Sequence, residues 1–319
     1  MQAEWMSRIR PLPPPFSGSA FTVASAREAG ISRGRLRASD LVAPFYGMRA
    51  TVSPTSTLRE ICAAYLPLMS ESAHFSHETA ALLYGIPLPR NREGSSAVHV
   101  TVIAPHHRPR GRGVIGHRVL QATVGELFGL PICSPERAWI GLSQVLAHDD
   151  LVVAADHLVR RKHALSTLER MAAQIGEGER GATRLRRVLL DARPGTDSPM
   201  ETRLRLLLMQ AGLPEPIIGQ TVIDGDGFFV ATPDLSYPQH RIAIEYEGAH
   251  HRTDARTFAD DILRRELLED AGWTVIRVIA DHFARPAILA NRVRRILAEH
   301  SLRDETAQIA SSPRRSPAI

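Results

Sequence analysis

Lysine is almost absent from this sequence, and cysteines and long apolar runs are scarce. Lys162 is its one lysine, so elsewhere in the chain any chemistry that usually needs a lysine must be done by another residue. The two cysteines, Cys62 and Cys133, are far apart and lack the spacing of a metal site, which predicts buried thiols in a reduced, cytoplasmic setting. No apolar run reaches the roughly 18 residues of a transmembrane helix, so we expect no membrane span.

The sequence does provide size, apolar content and positive charge. Its 319 residues, 44% of them apolar, are sufficient for two or three domains with hydrophobic cores. The N-terminal residues lead into prolines rather than an apolar stretch, so no secretory signal is expected. The net charge of +5 and the isoelectric point of about 9.7 are compatible with a nucleic-acid partner.

Residues 20–56 have the order of elements that is typical of a winged helix-turn-helix. Thr22 can cap a short helix that Gly30 ends, Ser32 can cap a second helix, and the apolar stretch around Gly47 fits a hairpin. In such a fold the second helix reads the DNA groove, and here it carries Arg33, Arg35 and Arg37. A small helical hairpin with solvated arginines is the alternative.

Residues 57–192 predict a mixed α/β region followed by helices. Two amphipathic helices come first, the second with Ser76 as its cap and Gly85 as its stop. Alternation then predicts strands at 97–104 and 113–120. The loop between these strands is basic and is either a phosphate contact or a solvated hairpin tip, with Arg108, Arg110 and Arg112.

Residues 193–300 predict a self-contained sheet flanked by helices. A helix capped by Ser198 is followed by three strands in a meander, a second helix, a fourth strand and a closing helix. We therefore expect an α/β (α+β) chain, with a linker at 191–198, a flexible lead at 1–19 and a disordered tail at 301–319.

The segment 242-IAIEYEG-248 places two carboxylates on one face of a strand. Successive strand side chains alternate between faces, so Glu245 and Glu247 point the same way. A turn after the preceding strand would set Asp234 across from Glu245. Neighbouring carboxylates repel one another and a hard divalent cation relieves that repulsion, which predicts a Mg²⁺ or Mn²⁺ site at Asp234 and Glu245.

Three features weigh against the alternative, an edge strand with both glutamates in water. Glutamate is a poor strand former, Gly248 permits close approach of the backbone to a ligand, and two histidines follow. We expect His250 to act as a base or as a phosphate contact. Zinc binding by His250 and His251 is less favoured, because adjacent side chains on an extended chain point apart.

Two segments, TPDLSYPQHRIAIEYEGAHHR and DILRRELLEDAGWTVIRV, resemble the endonuclease-like family related to very-short-patch repair endonucleases, within the PD-(D/E)XK nuclease superfamily. The resemblance spans about residues 199–297. It implies a restriction-endonuclease-like sheet and Mg²⁺-dependent cleavage of DNA. It implies Asp234 and Glu245 as metal ligands and Glu201 as a third acid. It also implies Asp261 and Arg264 as a pair on the following helix, and His250 as the motif histidine.

The sequence departs from the superfamily at one position and has ordinary explanations at others. Glu247 stands where a lysine is usual, so we expect it to position or activate the attacking water, or to bind a second metal. Glu201 lies three residues after Ser198 and would also complete a capping box. Asp261 and Arg264 also fit a common i,i+3 ion pair on a helix.

The segments FTVASAREAGISRGRLRASD, SHETAALLYGIPLP and AVHVTVIAPHHR resemble the AbiEi-like type IV antitoxin arrangement, a winged helix followed by a mixed domain. Two functions follow as expectations. One is a DNA-binding protein with a metal-dependent endonuclease domain. The other is a DNA-binding transcriptional regulator or antitoxin whose nuclease fold is inactive and whose further partner is a toxin. An RNA-processing enzyme stays open as a third, and no membrane partner is expected.

Overall fold

The structure is a computed structural model that describes residues 9–18, 20–51, 57–93, 97–248 and 255–311. Side chains are described throughout these ranges except at 255–261 and 304–311. The chain divides into two compact units. The first is Met1–Ala154 with Leu165–Leu190, and the second is Ala155–Ala164 with Asp191–Ile319. Both units contain helices and strands, which confirms the mixed α/β class.

The first unit is built around one mixed sheet. Its helices are α1 (Val23–Glu28), α2 (Leu58–Tyr65), α3 (His77–Leu83), α4 (Arg90–Glu93), α5 (Pro135–Leu142), α6 (His148–Leu158, whose last residues belong to the second unit), α7 (Leu168–Ala173) and α8 (Ala182–Asp191). Its strands are β1 (Ala20–Thr22), β2 (Met48–Ala50), β3 (His74–Phe75), β4 (Val98–Ile103), β5 (Arg110–Gly111), β6 (Val114–Val119), β7 (Val124–Leu127) and β8 (Leu130–Cys133).

The main sheet of the first unit has the strand order β5-β6-β4-β3-β8-β7. The pairs β4–β6 and β3–β8 are parallel and the other neighbours are antiparallel. The two strands predicted at 97–104 and 113–120 are therefore β4 and β6, side by side. The basic loop between them forms β5 and a hairpin, on which Arg110 and Arg112 are exposed.

Strand β4 is buried on both faces. Val98, Val100 and Val102 enter the main core of the unit. His99 and Thr101 point the other way, towards the start of α3, and both are buried. An interior strand with one polar, buried face is unusual, because buried polar groups need partners. The partners of these two residues come from α3, from Ser76 just before it, and from β6.

Helix α3 follows its predicted limits, but its cap residue has a different role. Gly85 ends the helix with a φ of 72°, as expected of a glycine stop. Ser76 occupies the N-cap position without capping the helix. Its hydroxyl lies 2.9 Å from Nδ1 of His77 and accepts a hydrogen bond from Thr101 Oγ1 at 2.6 Å. Ser76 therefore positions side chains rather than the helix end.

The N-terminal segment agrees with the sequence in its first helix and differs in its second. Thr22 caps α1 by accepting the Ser25 N–H at 3.0 Å. The second helix, predicted to carry the three arginines, is only a 3₁₀ turn over Arg35–Arg37. It ends there because Ala38 is extended, while Asp40 binds both terminal nitrogens of the Arg35 guanidinium. A 3₁₀ turn thus replaces the predicted α-helix, whereas Ser32 accepts the Arg35 N–H at 3.2 Å, as expected of its cap.

Two apolar residues in the described part of the predicted flexible lead, Leu12 and Phe16, are half-buried. Leu12 and Phe16 lie against a small core, and the Phe16 and Phe21 rings meet edge to face at 5.1 Å. Partial burial of these two side chains stabilises their contact with that core, while the other residues of 9–18 are exposed. The core residues are Phe21, Ala26, Ile31 and Leu36.

The second unit contains a four-stranded sheet and a separate hairpin. Its elements are α9 (Pro199–Gln210), β9 (Ile217–Ile218), β10 (Val222–Ile223), β11 (Phe229–Ala231), β12 (Leu235–Tyr237), β13 (Ile242–Glu247), α10 (Ala255–Asp270), β14 (Thr274–Ile279), α11 (Ala280–Phe283) and α12 (Pro286–Ser311). The sheet order is β14-β13-β12-β9, with β13 and β14 parallel. Strands β10 and β11 pair with each other. The final helix reaches Ser311, beyond residue 301, where the disordered tail was predicted to start.

Strand β13, which carries the two predicted site glutamates, lies inside the sheet between β12 and β14. Ile242 and Ile244 join the core on one face, and Ala243 joins a second cluster on the other. Glu245 continues the Ala243 face and is only 7% exposed. The alternative of a water-facing edge strand is therefore wrong.

Two predictions from composition can be compared with the described part of the chain. Both cysteines are free and buried, as expected, and burial raises the pKa of each thiol to about 12. Among the residues that the structure describes, no helix combines the length and apolar character that a bilayer crossing needs.

A candidate carboxylate site in the second unit

Strand register brings Asp234 beside Glu245. Leu235 is paired with Ile244 in the antiparallel β12–β13 ladder, so the residue before Leu235 lies opposite the residue after Ile244. The Asp234 carboxylate accepts the Tyr246 backbone N–H at 2.8 Å. That bond fixes the Asp234 side chain against β13, in the neighbourhood predicted for it.

Glu201, near the start of α9, is electrostatically coupled to Asp234. Its side chain is buried, and burial first, then the negative charge of Asp234, raise the pKa of Glu201 to about 7. Its backbone N–H is capped by Ser198 Oγ at 3.3 Å, but its carboxylate accepts the N–H of Asp197 at 2.9 Å rather than that of the cap residue. The predicted capping box is therefore incomplete, because the Glu201 carboxylate binds the N–H of the residue before the cap residue Ser198.

Arginines approach this carboxylate group. Arg264 on α10 lies with Nε 3.2 Å from Oε1 of Glu245, an ion pair that is almost buried on the glutamate side. Burial raises the pKa of Asp234, while the Tyr246 N–H, Arg264 and Arg161 act in the opposite direction. The expected partner of Arg264 was Asp261, whose side chain lies outside the described residues.

Glu247 is engaged by an arginine from the neighbouring strand. Both of its carboxylate oxygens contact the Arg277 guanidinium in a forked pair. The parallel register sets Arg277 opposite Glu245, one strand away, from which its side chain reaches Glu247. His250 and His251, the remaining predicted site residues on this segment, lie outside the described residues.

The carboxylates form a looser group than a closed metal site. Within the described part of the chain, one group of three potential metal ligands has its ligand atoms within 4.8 Å of one another, and its members are imidazoles. The carboxylates of Glu201, Asp234 and Glu245 are not that close together. The imidazoles belong to the first unit and were missed by the sequence reasoning. Each comes from a different element without a metal-site spacing: His77, His99 and His117.

Comparison with known proteins adds relatives but no activity. No protein-family model matches this chain. Uncharacterized protein Rv2248 and Uncharacterized protein MT2308, from two strains of Mycobacterium tuberculosis, are each 29% identical over 259 residues, covering 81% of this chain and 92% of the relative. The crystal structure of the RV2827C protein from M. tuberculosis is similar with a TM-score of 0.37 and 17% identity, over 64% of this chain and 83% of that one.

Proposed function

We propose that the second unit is a metal-dependent nuclease domain of the restriction-endonuclease-like type, which hydrolyses DNA phosphodiester bonds with Mg²⁺ or Mn²⁺. The observation that supports it most is the placement of buried Glu201 and half-buried Asp234 beside Glu245. A raised carboxylate pKa caused by burial and a like charge is typical of acidic sites with a function.

The donor set fits a hard divalent cation. Asp234 and Glu245 offer oxygen ligands on adjacent strands, and their repulsion is what a cation would relieve. A bound Mg²⁺ would polarise the scissile phosphate and lower the pKa of a coordinated water. Glu201 is the third acid, in the role that the resemblance to the superfamily implies.

The other side chains suit proton transfer and phosphate binding. Glu201, with a pKa near 7, can accept a proton at neutral pH. Arg264 and Arg277 supply the positive charge that a phosphate needs, since residues 193–300 contain no lysine. Glu247, which is bound to Arg277, orients the Arg277 guanidinium or a water molecule. His250 acts as a base or as a phosphate contact.

The test compares cleavage by the full chain and by carboxylate variants. We expect Asp234→Asn with Glu245→Gln to abolish Mg²⁺- or Mn²⁺-dependent cleavage, because amides keep the shape but not the charge. Glu269→Gln, an exposed position on α10, is the matched control and should leave the rate unchanged. Double-stranded DNA, single-stranded DNA and RNA are tested in parallel. Cleavage that survives in the double variant, or no cleavage of any substrate by the unmodified protein, contradicts the proposal.

A second candidate is a DNA-binding regulator or antitoxin whose nuclease fold is inactive. The forked pair of Glu247 and Arg277 favours it, since the position usually held by a catalytic lysine is then occupied by an acid already engaged. Arg33 and Arg37 are exposed and would contact DNA, whereas Arg35 is held by Asp40. Calorimetric titration with Mg²⁺ or Mn²⁺ separates the two: binding that Glu245→Gln removes supports the nuclease, and DNA binding without cation binding supports the regulator.

A further inference from the structure

We propose that His77, His99 and His117 form a binding site for one Zn²⁺ ion in the first unit, separate from the carboxylates of the second. His77 opens α3, His99 lies on β4 and His117 lies on the parallel neighbour β6. Each offers one ring nitrogen, and these three atoms all lie within 4.8 Å of one another.

The spacing of the ring nitrogens suits a small metal ion. Nδ1 of His99 lies 3.1 Å from Nε2 of His117. Two imidazoles on one Zn²⁺, with Zn–N bonds of about 2.0–2.1 Å and tetrahedral angles, have their nitrogens about 3.3–3.4 Å apart. The third ring, His77, is stacked on His117 with the ring centres 3.6 Å apart. The His99–His117 contact is a hydrogen bond as it stands, and zinc binding would replace it. Since a metal ion lies in the plane of each imidazole that binds it, the stacked His77 and His117 rings must turn to share one ion.

Groups around the cluster resemble the outer partners of metal-bound histidines. Nε2 of His99 is buried without a hydrogen bond of normal geometry, and Oε2 of Glu78 lies 3.3 Å from it. Arg92 holds that carboxylate from the other side at 3.1 Å, and Ser76 Oγ lies 2.9 Å from Nδ1 of His77. A carboxylate behind a histidine orients its ring and strengthens it as a ligand.

The backbone conformation at His77 is strained, and a nearby glycine leaves space for the His77 ring. His77 has a φ of 51°, which is uncommon for a residue with a side chain. A Cβ on Gly141 of α5 would lie only 2.8 Å from Cδ2 of His77, so the ring fits because that position is glycine. Backbone strain of this kind is concentrated at functional sites.

The ligand type of the cluster distinguishes between metal ions, because all three candidate donors are imidazole nitrogens. Nitrogen ligands favour Zn²⁺ over Mg²⁺, which prefers oxygen.

Three protein ligands leave one tetrahedral position of Zn²⁺ open. The histidines line a cleft that is rich in arginine, so the open position would take water or an oxygen of an anionic ligand. The arginines of that cleft are Arg92, Arg108, Arg118, Arg137 and Arg180.

The experiment uses the full chain, freed of metal with a chelator and titrated with Zn²⁺ by calorimetry. We expect one Zn²⁺ per chain at this site, and at least tenfold weaker binding in His99→Ala and in His117→Ala. Glu78→Gln, which keeps all three ligands, should weaken binding by about 10–100-fold. His157→Ala is the matched control, a partly buried histidine of the second unit that should leave binding unchanged. Asp234→Asn with Glu245→Gln should also retain this zinc, which separates the inference from the nuclease proposal.

Two further measurements make the outcome decisive even if a histidine variant fails to fold. Co²⁺ in place of Zn²⁺ should give the ligand-field absorption of a tetrahedral site in the unmodified protein. Anomalous diffraction at the zinc edge should then place the ion between the three rings. No zinc binding by the unmodified protein, an ion located elsewhere, or unchanged binding in a folded variant that lacks all three histidines would overturn the proposal.

Discussion

At the scale of single residues, an ion pair in the interior of the second unit offers a clear stability test. Asp156 and Arg205 are both fully buried and lie 2.9 Å apart, and Thr202 Oγ1 donates a further bond to the same carboxylate. Within the described residues, Asp156→Ala leaves the buried Arg205 charge with Glu215, at 3.4 Å, as its remaining ionic partner. We expect the free energy of unfolding to fall by about 3–5 kcal/mol, measured by urea denaturation.

The control is an ion pair of similar length on the surface. Arg295 and Glu299 lie 2.9 Å apart on α12, and both side chains are exposed. Arg295→Ala should change the free energy of unfolding by less than about 0.5 kcal/mol, since water screens such pairs. Equal losses for the two variants would contradict the argument from burial.

Single residues also separate what the sequence can predict from what it cannot. The neighbourhood of Asp234 and Glu245 was predictable, because a short turn joins their strands and alternation sets their faces. The Arg277 partner of Glu247 was not, since it comes from a strand that follows a whole helix. The three histidines were hidden for the same reason, because only the sheet brings β4 and β6 together behind α3.

At the scale of elements, Gly116 lets β6 pass close to the chain before β5. A Cβ on Gly116 would overlap the carbonyl oxygen of Pro109 and lie 2.8 Å from its nitrogen, and backbone atoms cannot turn aside as a side chain can. We expect Gly116→Ala to lower the free energy of unfolding by about 2 kcal/mol or more. Denaturant unfolding, with β-sheet content followed by circular dichroism, measures the effect.

Gly125, on β7 of the same sheet, is the matched control. A Cβ there would have Ile132 O as its nearest neighbour, at an ordinary 3.8 Å. Gly125→Ala should therefore be neutral or slightly stabilising, because alanine loses less backbone freedom on folding. A comparable loss in both variants would show that the close approach to Pro109 is not the cause.

Elements with strong local signals were predicted well, and elements that depend on distant contacts were not. Thr22 and Ser198 cap their helices as expected, since a cap acts within three residues. Arg35, in the turn over Arg35–Arg37, is held by Asp40 and by the carbonyl of Arg10, and neither contact follows from helical periodicity. Likewise, α12 extends through a polar segment whose composition is typical of disorder.

At the scale of the whole molecule, the division of the chain lies close to the predicted linker but is not a single cut. The sequence predicts a boundary at 192/193, and the second unit begins again at Asp191. Ala155–Ala164 also belongs to that unit, because Asp156 pairs with Arg205, 49 positions later. Composition detects a polar linker, whereas a short returning segment is recognised only from its contacts.

The stability of the whole chain should depend on pH through His157 of the second unit. Burial, then the positive charge of Arg160, lower the pKa of His157 from 6.5 to about 4 in the folded state. The unfolded chain therefore takes up a proton first as the pH falls, so this contribution to stability is fully present above about pH 6.5 and is lost towards pH 4. Relative to His157→Gln, the native sequence should lose about 2 kcal/mol of unfolding free energy between about pH 7.5 and pH 5, measured by urea denaturation. Parallel curves for the two proteins across this range would mean that His157 is protonated as readily in the folded state as in the unfolded one.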